Sequence, residues 1–208
     1  EVENLSKIFP QKASGELRAV DQLSFRAEKG EIVVLLGVNG AGKTTTLRML
    51  STVLQPSSGT ARVEGFDIIR ESQQVRSRLG FLSGDTGLYA RLTAREVITY
   101  FAKLYDVPAP IITERIGQLS ELLDMSDFLE KKIDLLSTGM KQKVSIARSI
   151  IHDPPVMIFD EPTAGLDILT ARNIVNFIHK CRDDGKCVLF STHIMREAER
   201  IADRIVMI

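Results

Sequence analysis

Short apolar runs bounded by polar turns recur along this chain, and stretches of helical periodicity lie between them. Glu31-Ile32-Val33-Val34-Leu35-Leu36 has the length and apolar content of a buried strand, and the pattern over 45–50 is helical. Residues 2–9 and 22–27 read as strands joined by a polar loop over 10–16. Pro56-Ser57-Ser58-Gly59 marks a turn before a short strand at 60–63, and 78–83 reads as another strand. From there to about residue 150 the period is helical. Thr93-Ala94-Arg95-Glu96 has the form of a capping box, Val107-Pro108-Ala109-Pro110 is a break, and 112–123 resumes the helix. Ser137 is placed to cap a further helix running to about Ile151. Strands return at 156–159, 187–190 and 205–208, with a helix over 168–181. Strands alternating with helices predict an α/β fold with a mainly parallel sheet covered on both faces, interrupted by a helical insertion.

One turn in this pattern carries chemistry. Gly37-Val38-Asn39-Gly40-Ala41-Gly42-Lys43-Thr44 fits the phosphate-binding loop, and it sits between a predicted strand and a predicted helix. Glycine adopts the dihedrals that let backbone N–H groups close around phosphate oxygens. The helix start adds the positive end of its dipole. The expected nucleotide-binding stretch is therefore Gly37, Val38, Asn39, Gly40, Ala41, Gly42, Lys43, Thr44 and Thr45. Lys43 is expected to reach the outer phosphates, and Thr44 to offer its hydroxyl to magnesium.

A second element is Val156-Met157-Ile158-Phe159-Asp160-Glu161, an apolar run ending in two carboxylates. Beside a phosphate loop, Asp160 would belong to the magnesium shell, and Glu161 would orient or deprotonate the attacking water. Taken alone, the run is equally a buried strand whose end meets solvent.

The surrounding residues add three more stretches in order. These are Leu136-Ser137-Thr138-Gly139-Met140-Lys141-Gln142 ahead of a helix, Pro162-Thr163-Ala164-Gly165-Leu166-Asp167 after the acidic strand, and Ser191-Thr192-His193. With the phosphate loop and the acidic strand, they make nearly all of the chain resemble the ATP-binding cassette domain of ABC transporters. The resemblance implies a P-loop NTPase with a mainly parallel core sheet, an N-terminal antiparallel β part and a helical insertion subdomain. The core lobe would comprise 1–83 and 151–208, and the helical subdomain about 84–150. It also implies ATP and Mg2+ as ligands, with Thr44 and Asp160 at the metal. Glu161 is the implied base, His193 the switch histidine at the γ-phosphate, and Phe9 the ring that stacks on adenine. Ser137 and Gly139 match the signature motif, and Asp167 the D-loop. Two copies would sandwich two ATP molecules head to tail, so that each site joins one phosphate loop to the other copy's signature motif. Ser137 and the backbone at Gly139 suit that role, being at a predicted helix N-terminus.

Two departures from the family pattern stand out. The signature reads LSTGM rather than LSGGQ, with Ser137 and Gly139 kept. Gly84 stands where the family usually has Gln, leaving Asp85 or a water as the substitute near magnesium. LSTGM and Gly84-Asp85-Thr86-Gly87-Leu88-Tyr89 look like the bacterial NatA-type sodium-efflux exporter branch. Leu88, Tyr89 and Leu92 are candidates for the wall of a groove that receives a helix of a membrane subunit, or for packing within the insertion.

Composition narrows the alternatives. With 208 residues, 44% hydrophobic and 26% charged, the chain is ordinary globular material. Lys+Arg and Asp+Glu are both 27, so no global basic field attracts nucleic acid. No apolar run approaches the roughly 20 residues of a membrane span. The expectation is a peripheral protein at the cytoplasmic face of the membrane, acting on a separate transmembrane permease. Cys181 and Cys187 make neither a disulfide framework nor a zinc site. The chain lacks an initial Met and stops in an apolar run, so it is expected to be part of a longer polypeptide. The competing function is a soluble ABC-family ATPase acting on nucleic acid or ribosomes. Such members carry coiled-coil insertions, zinc cysteines or paired cassettes, and none of these is visible here. A GTPase is disfavoured because no Asn-Lys-x-Asp motif occurs.

Overall fold

The computed structural model describes residues 1–11, 15–84 and 87–208. The chain opens with β1 (Val2–Gln11) and β2 (Gly15–Phe25), then β3 (Ile32–Leu36) and α1 (Lys43–Leu50). β4 (Ser58–Val63), β5 (Phe66–Asp67), α2 (Ser72–Ser77) and β6 (Leu79–Leu82) follow. Three helices come next in succession: α3 (Ala94–Leu104), α4 (Ala109–Leu122) and α5 (Thr138–Ile150). The chain then alternates β7 (Val156–Asp160), α6 (Ile168–Asp183), β8 (Cys187–Thr192), α7 (Met195–Ile201) and β9 (Arg204–Met207).

Two sheets result. β2, β1, β4 and β5 form an antiparallel sheet in that order. β6, β7, β8, β3 and β9 form a second sheet in which every pairing is parallel. Every residue of β3, β7 and β8 is buried, as a parallel strand covered on both faces requires. Successive side chains of β3 divide between two cores. Val33 and Leu35 join Leu47 and Met49 of α1 and Leu5 and Val20 of the antiparallel sheet. Ile32, Val34 and Leu36 join Phe159, Phe190, the inner faces of α3–α6 and Ala198 and Ile201 of α7. The period of two along each strand is what lets one sheet anchor both layers.

The capping box at Thr93 is complete: Glu96 N–H donates to Thr93 Oγ1 at 3.1 Å, and Thr93 N–H donates to Glu96 Oε2 at 2.8 Å. Ser137 caps α5, its Oγ accepting from Met140 N–H at 3.3 Å. The region read as a loop over 10–16 is different. β1 and β2 pair out to Gln11 opposite Gly15, so strand extends into it from both sides. Backbone ladder bonds, not burial, hold this hairpin end, since the first residues of β2 are exposed. That leaves no alternation in the sequence to reveal it. α2 and α7 were also absent from the pattern, because they are short and bury only Val75, and Ala198 with Ile201, respectively. Cys181 and Cys187 are unpaired and buried, and burial pushes their thiols up to about 12 and about 11.

Phe159 is fully buried in β7. Phe159→Ala is expected to cost about 3–5 kcal/mol through lost transfer energy and the cavity left behind. Denaturant unfolding at constant slope measures this, and an unshifted midpoint would contradict the packing described.

Candidate nucleotide-binding site

The C-terminal ends of β3, β7 and β8 lie side by side because their registers align. Leu36 is paired with Thr192, and Asp160 with Ser191. The phosphate loop leaves β3, the acidic pair leaves β7, and His193 leaves β8, so the motifs converge from distant parts of the sequence. Ligands of open parallel sheets bind at this edge.

The loop from Gly37 is held tightly on both sides. Gly42 has φ +103°, and a Cβ there would lie 2.3 Å from the Ala19 carbonyl oxygen of β2. A Cβ on Gly37 would lie 2.5 Å from the Ile208 carbonyl oxygen. Glycine is therefore needed at Gly42 for conformation and at both positions for space. Helix α1 begins at Lys43, two residues before the helix read from the pattern, because Gly42 supplies the left-handed turn into it.

Lys43 is 4% exposed, and its ammonium donates to Gly37 O at 2.7 Å and Val38 O at 3.1 Å. It also lies 3.5 Å from Glu161 Oε1. Asn39, Gly40, Gly42, Lys43, Thr44, Thr45 and Glu161 line a cleft of about 150 Å³. Glu161 is the first residue past β7 and has φ +47°, an uncommon conformation for a side chain of this size. The turn directs its carboxylate back to the cleft. The same Oε1 is 3.3 Å from His193 Nδ1. One carboxylate oxygen thus meets both Lys43 and His193.

Asp160 is 5% exposed. Ser191 Oγ donates to Asp160 Oδ1 at 2.6 Å and accepts from Glu161 N–H at 3.0 Å. Among the described residues no cation pairs with Asp160, and a buried carboxylate is costly without one. With the Thr44 hydroxyl on the loop, this all-oxygen donor set fits a hard divalent cation. Asp85, the suggested substitute beside Gly84, lies outside the described residues. Among the described residues, nothing lies within 4 Å of a Cβ placed on Gly84, its chain neighbours aside.

The remaining candidates lie apart from this cleft. Phe9 stands opposite Leu17 on the hairpin whose Ala19 overhangs Gly42, with the Lys7 ammonium 5.1 Å from its ring centroid. Ser137 is exposed at the start of α5 and, like Gly139, does not line the cleft of its own chain. Asp167 caps α6, accepting from Leu169 N–H, Thr170 N–H and the Thr170 hydroxyl. These bonds, Thr170 N–H foremost, hold its carboxyl below the usual range. A Cβ on Gly139 would lie 3.0 Å from Thr170 Cγ2, so the start of α5 is packed against α6.

Four residues make contacts between segments that the motifs do not reveal. Gln142 of α5 donates to Pro162 O at 2.8 Å, tying the signature helix to the loop after Glu161. Thr163 and Thr192 both donate to Glu197 on α7. Each sits in or near a quoted motif, but a hydrogen bond between motifs leaves no mark on either one.

A groove of about 220 Å³ is lined by Ser51, Val53, Arg76 and Phe81 together with Phe101, Tyr105 and Arg148 of the helical segment. Near it, Arg148 donates to Gly87 O at 3.2 Å and lies over the Phe101 ring. Tyr89 is 52% exposed and meets Tyr100 edge to face at 5.7 Å. Leu88 and Leu92 are instead partly buried against the main core, where they serve packing.

Comparison with known proteins accords with this architecture. The ABC transporter family profile matches residues 20–164. The chain is 45% identical over 193 residues to the ABC transporter ATP-binding protein NatA of Bacillus subtilis (strain 168), covering 92% of this chain and 78% of that protein. It is 36% identical over 208 residues to the probable multidrug ABC transporter ATP-binding protein YbhF of Escherichia coli (strain K12), spanning all of this chain but 35% of that protein. A dimeric post-hydrolysis state of the ATP-binding cassette MJ0796 bound to ADP and Pi superposes with a TM-score of 0.88 at 25% identity, covering 100% of this chain and 93% of that one.

Removing the Lys43 ammonium deletes a charge-assisted phosphate contact and leaves the Gly37 and Val38 carbonyls without their donor. Lys43→Ala is expected to weaken MgATP binding at least tenfold, about 1.4 kcal/mol. Equilibrium titration checks it, and unchanged affinity would remove Lys43 from the nucleotide site.

Proposed function

The chain belongs to the ABC transporter family, as an ATPase cassette, and we propose that it powers an exporter by pairing with a second copy on a separate membrane permease. The observation that carries the catalytic part is the meeting of Lys43, Glu161 and His193 around one carboxylate oxygen at the lip of the phosphate-loop cleft. ATP places its outer phosphates against Lys43 and the loop N–H groups. Phosphates bound to Lys43 compensate its charge in place of Glu161, which leaves the Glu161 carboxylate available as a base. Glu161 accepts a proton from water as the water oxygen bonds to the γ-phosphorus. The bond from that phosphorus to the β–γ bridging oxygen breaks, giving ADP and phosphate. His193 holds the γ-phosphate from the other strand end. Thr44 and Asp160 would hold Mg2+, which would supply charge neutralisation to the phosphates.

Phe9 stacks on the adenine. Ser137 and Gly139 of the second copy close the site, a role supported by the exposure of Ser137 at the N-terminus of α5. Asp167 shapes the D-loop of the same seam. The segment over about 84–150 acts as the helical subdomain, and 1–83 with 151–208 as the core lobe. Among the described residues, no helix is long and apolar enough to cross a membrane. That fits a protein lying at the cytoplasmic face of the membrane against its permease. The groove beside Phe81, Phe101 and Tyr105 is the proposed seat for a permease helix. The cargo we propose is sodium ion, on the likeness of LSTGM and the stretch from Gly84 to Tyr89 to sodium-efflux exporters.

Glu161→Gln preserves shape but removes the base. It is expected to lower ATP turnover by ~100- to 10,000-fold while ATP remains bound. ATP should then hold the variant as a dimer, seen as a doubled mass in solution. Turnover near the parental rate would exclude Glu161 as the base.

Tyr89→Asp places a charge beside Tyr100, whose ring meets that of the groove residue Phe101. In vesicles containing the full-length protein and its permease, it is expected to leave ATP binding intact and to reduce sodium efflux per ATP hydrolysed. Undiminished efflux would count against the groove as the docking seat, and efflux of a different solute by the parent would replace sodium as the cargo.

A further inference from the structure

Glu197 lies on α7, outside every motif described above. Its carboxylate is only partly exposed, and both of its oxygens are engaged. Oε1 accepts from the hydroxyl of Thr163, and Oε2 from the hydroxyl of Thr192. Each threonine belongs to a different catalytic loop. Thr163 stands two residues after Glu161, in a turn where Ala164 N–H donates to Glu161 O at 3.2 Å. Thr192 immediately precedes His193, and its Oγ1 also accepts from Ile194 N–H at 3.1 Å. That second bond closes the turn that presents the histidine. One carboxylate therefore clasps the loop carrying the base and the loop carrying the switch histidine.

We propose that Glu197 is a positioning residue that fixes the separation of Glu161 and His193, a role that rests on Glu161 acting as the base. The Glu161–His193 contact is 3.3 Å, and Glu197 is bonded to both of the loops that make it. Glu161 stands at a positive φ, so its turn needs outside support. Asp160, Ser191 and the Glu161 N–H brace the strand ends beneath the two loops, and Glu197 braces the loops above them. A carboxylate suits this position because it accepts from both hydroxyls at once without supplying a competing donor. Proton transfer and phosphoryl attack depend steeply on placement, and an error near 1 Å costs about 100-fold.

The test uses the full-length protein and compares steady-state ATP hydrolysis across variants. Glu197→Ala is expected to lower kcat ~10- to 100-fold with KM for ATP changed less than about twofold, the pattern of an interaction needed in the transition state. Thr163→Val should lower kcat in the same direction, and Thr163→Ser should restore it, since only the hydroxyl matters. Combining Glu197→Ala with Thr163→Val should cost no more than Glu197→Ala alone. Should Glu197→Ala fail to fold, the Thr163 pair decides. Parental kcat in Glu197→Ala, a rise in KM alone, or Thr163→Ser as impaired as Thr163→Val would overturn the role. Glu161→Gln is run alongside. If it keeps turning over ATP, Glu161 is not the base and the premise falls. If it is inactive while Glu197→Ala is not impaired, the clasp alone is wrong.

Discussion

The in-register parallel pairing of β3, β7 and β8 is the constraint on which the site depends. Pairing Leu36 with Thr192 and Asp160 with Ser191 brings three chain segments to a common edge with no freedom to slide. A shift of one residue in any strand would turn its side chains to the opposite face and move its terminal carboxylate or histidine out of reach. Complete burial of the three strands makes such a shift prohibitively costly, because each face feeds a separate hydrophobic core. The precision of the site is therefore set by packing that never touches a nucleotide.

On that edge the electrostatics are arranged around Lys43. A buried ammonium needs acceptors, and it finds two loop carbonyls and the Glu161 carboxylate. The lysine proposed to bind phosphate thus also holds the Glu161 carboxylate at the cleft. Asp160 shows the converse, a buried carboxylate bonded to Ser191 with no cation beside it among the described residues. The two neighbouring acids are separated in role by their surroundings. Asp160 points into the strand ends beside Ser191, and Glu161, turned by its positive φ, faces Lys43 and His193.

The helical segment is bound to the rest through one continuous core that includes α3, α4 and α5 together with β7 and β8. Its links to the site are also polar. Gln142 reaches the Pro162 carbonyl, and Gly139 packs on Thr170. A displacement of the start of α5 would therefore be felt in the loop that follows Glu161.

The amino-acid sequence determined the motifs, their order and the alternation that makes the sheet parallel. Each depends on residues near in the chain: glycines where only glycine turns, apolar runs where strands are buried, Thr93 and Ser137 where helices start. The sequence also carried the α/β class, because a strand covered on both faces must be apolar throughout. Tertiary structure alone decided what meets across those segments. That Glu161 Oε1 is shared by Lys43 and His193, that Asp167 spends its carboxylate on capping α6, and that Leu88 and Leu92 pack while Tyr89 is exposed could not be read from spacing. The extended β1–β2 hairpin, α2 and α7 were hidden for a related reason. The far end of the hairpin is held by backbone bonds and each helix buries only one or two side chains, and so small an apolar contribution imposes no period on the sequence.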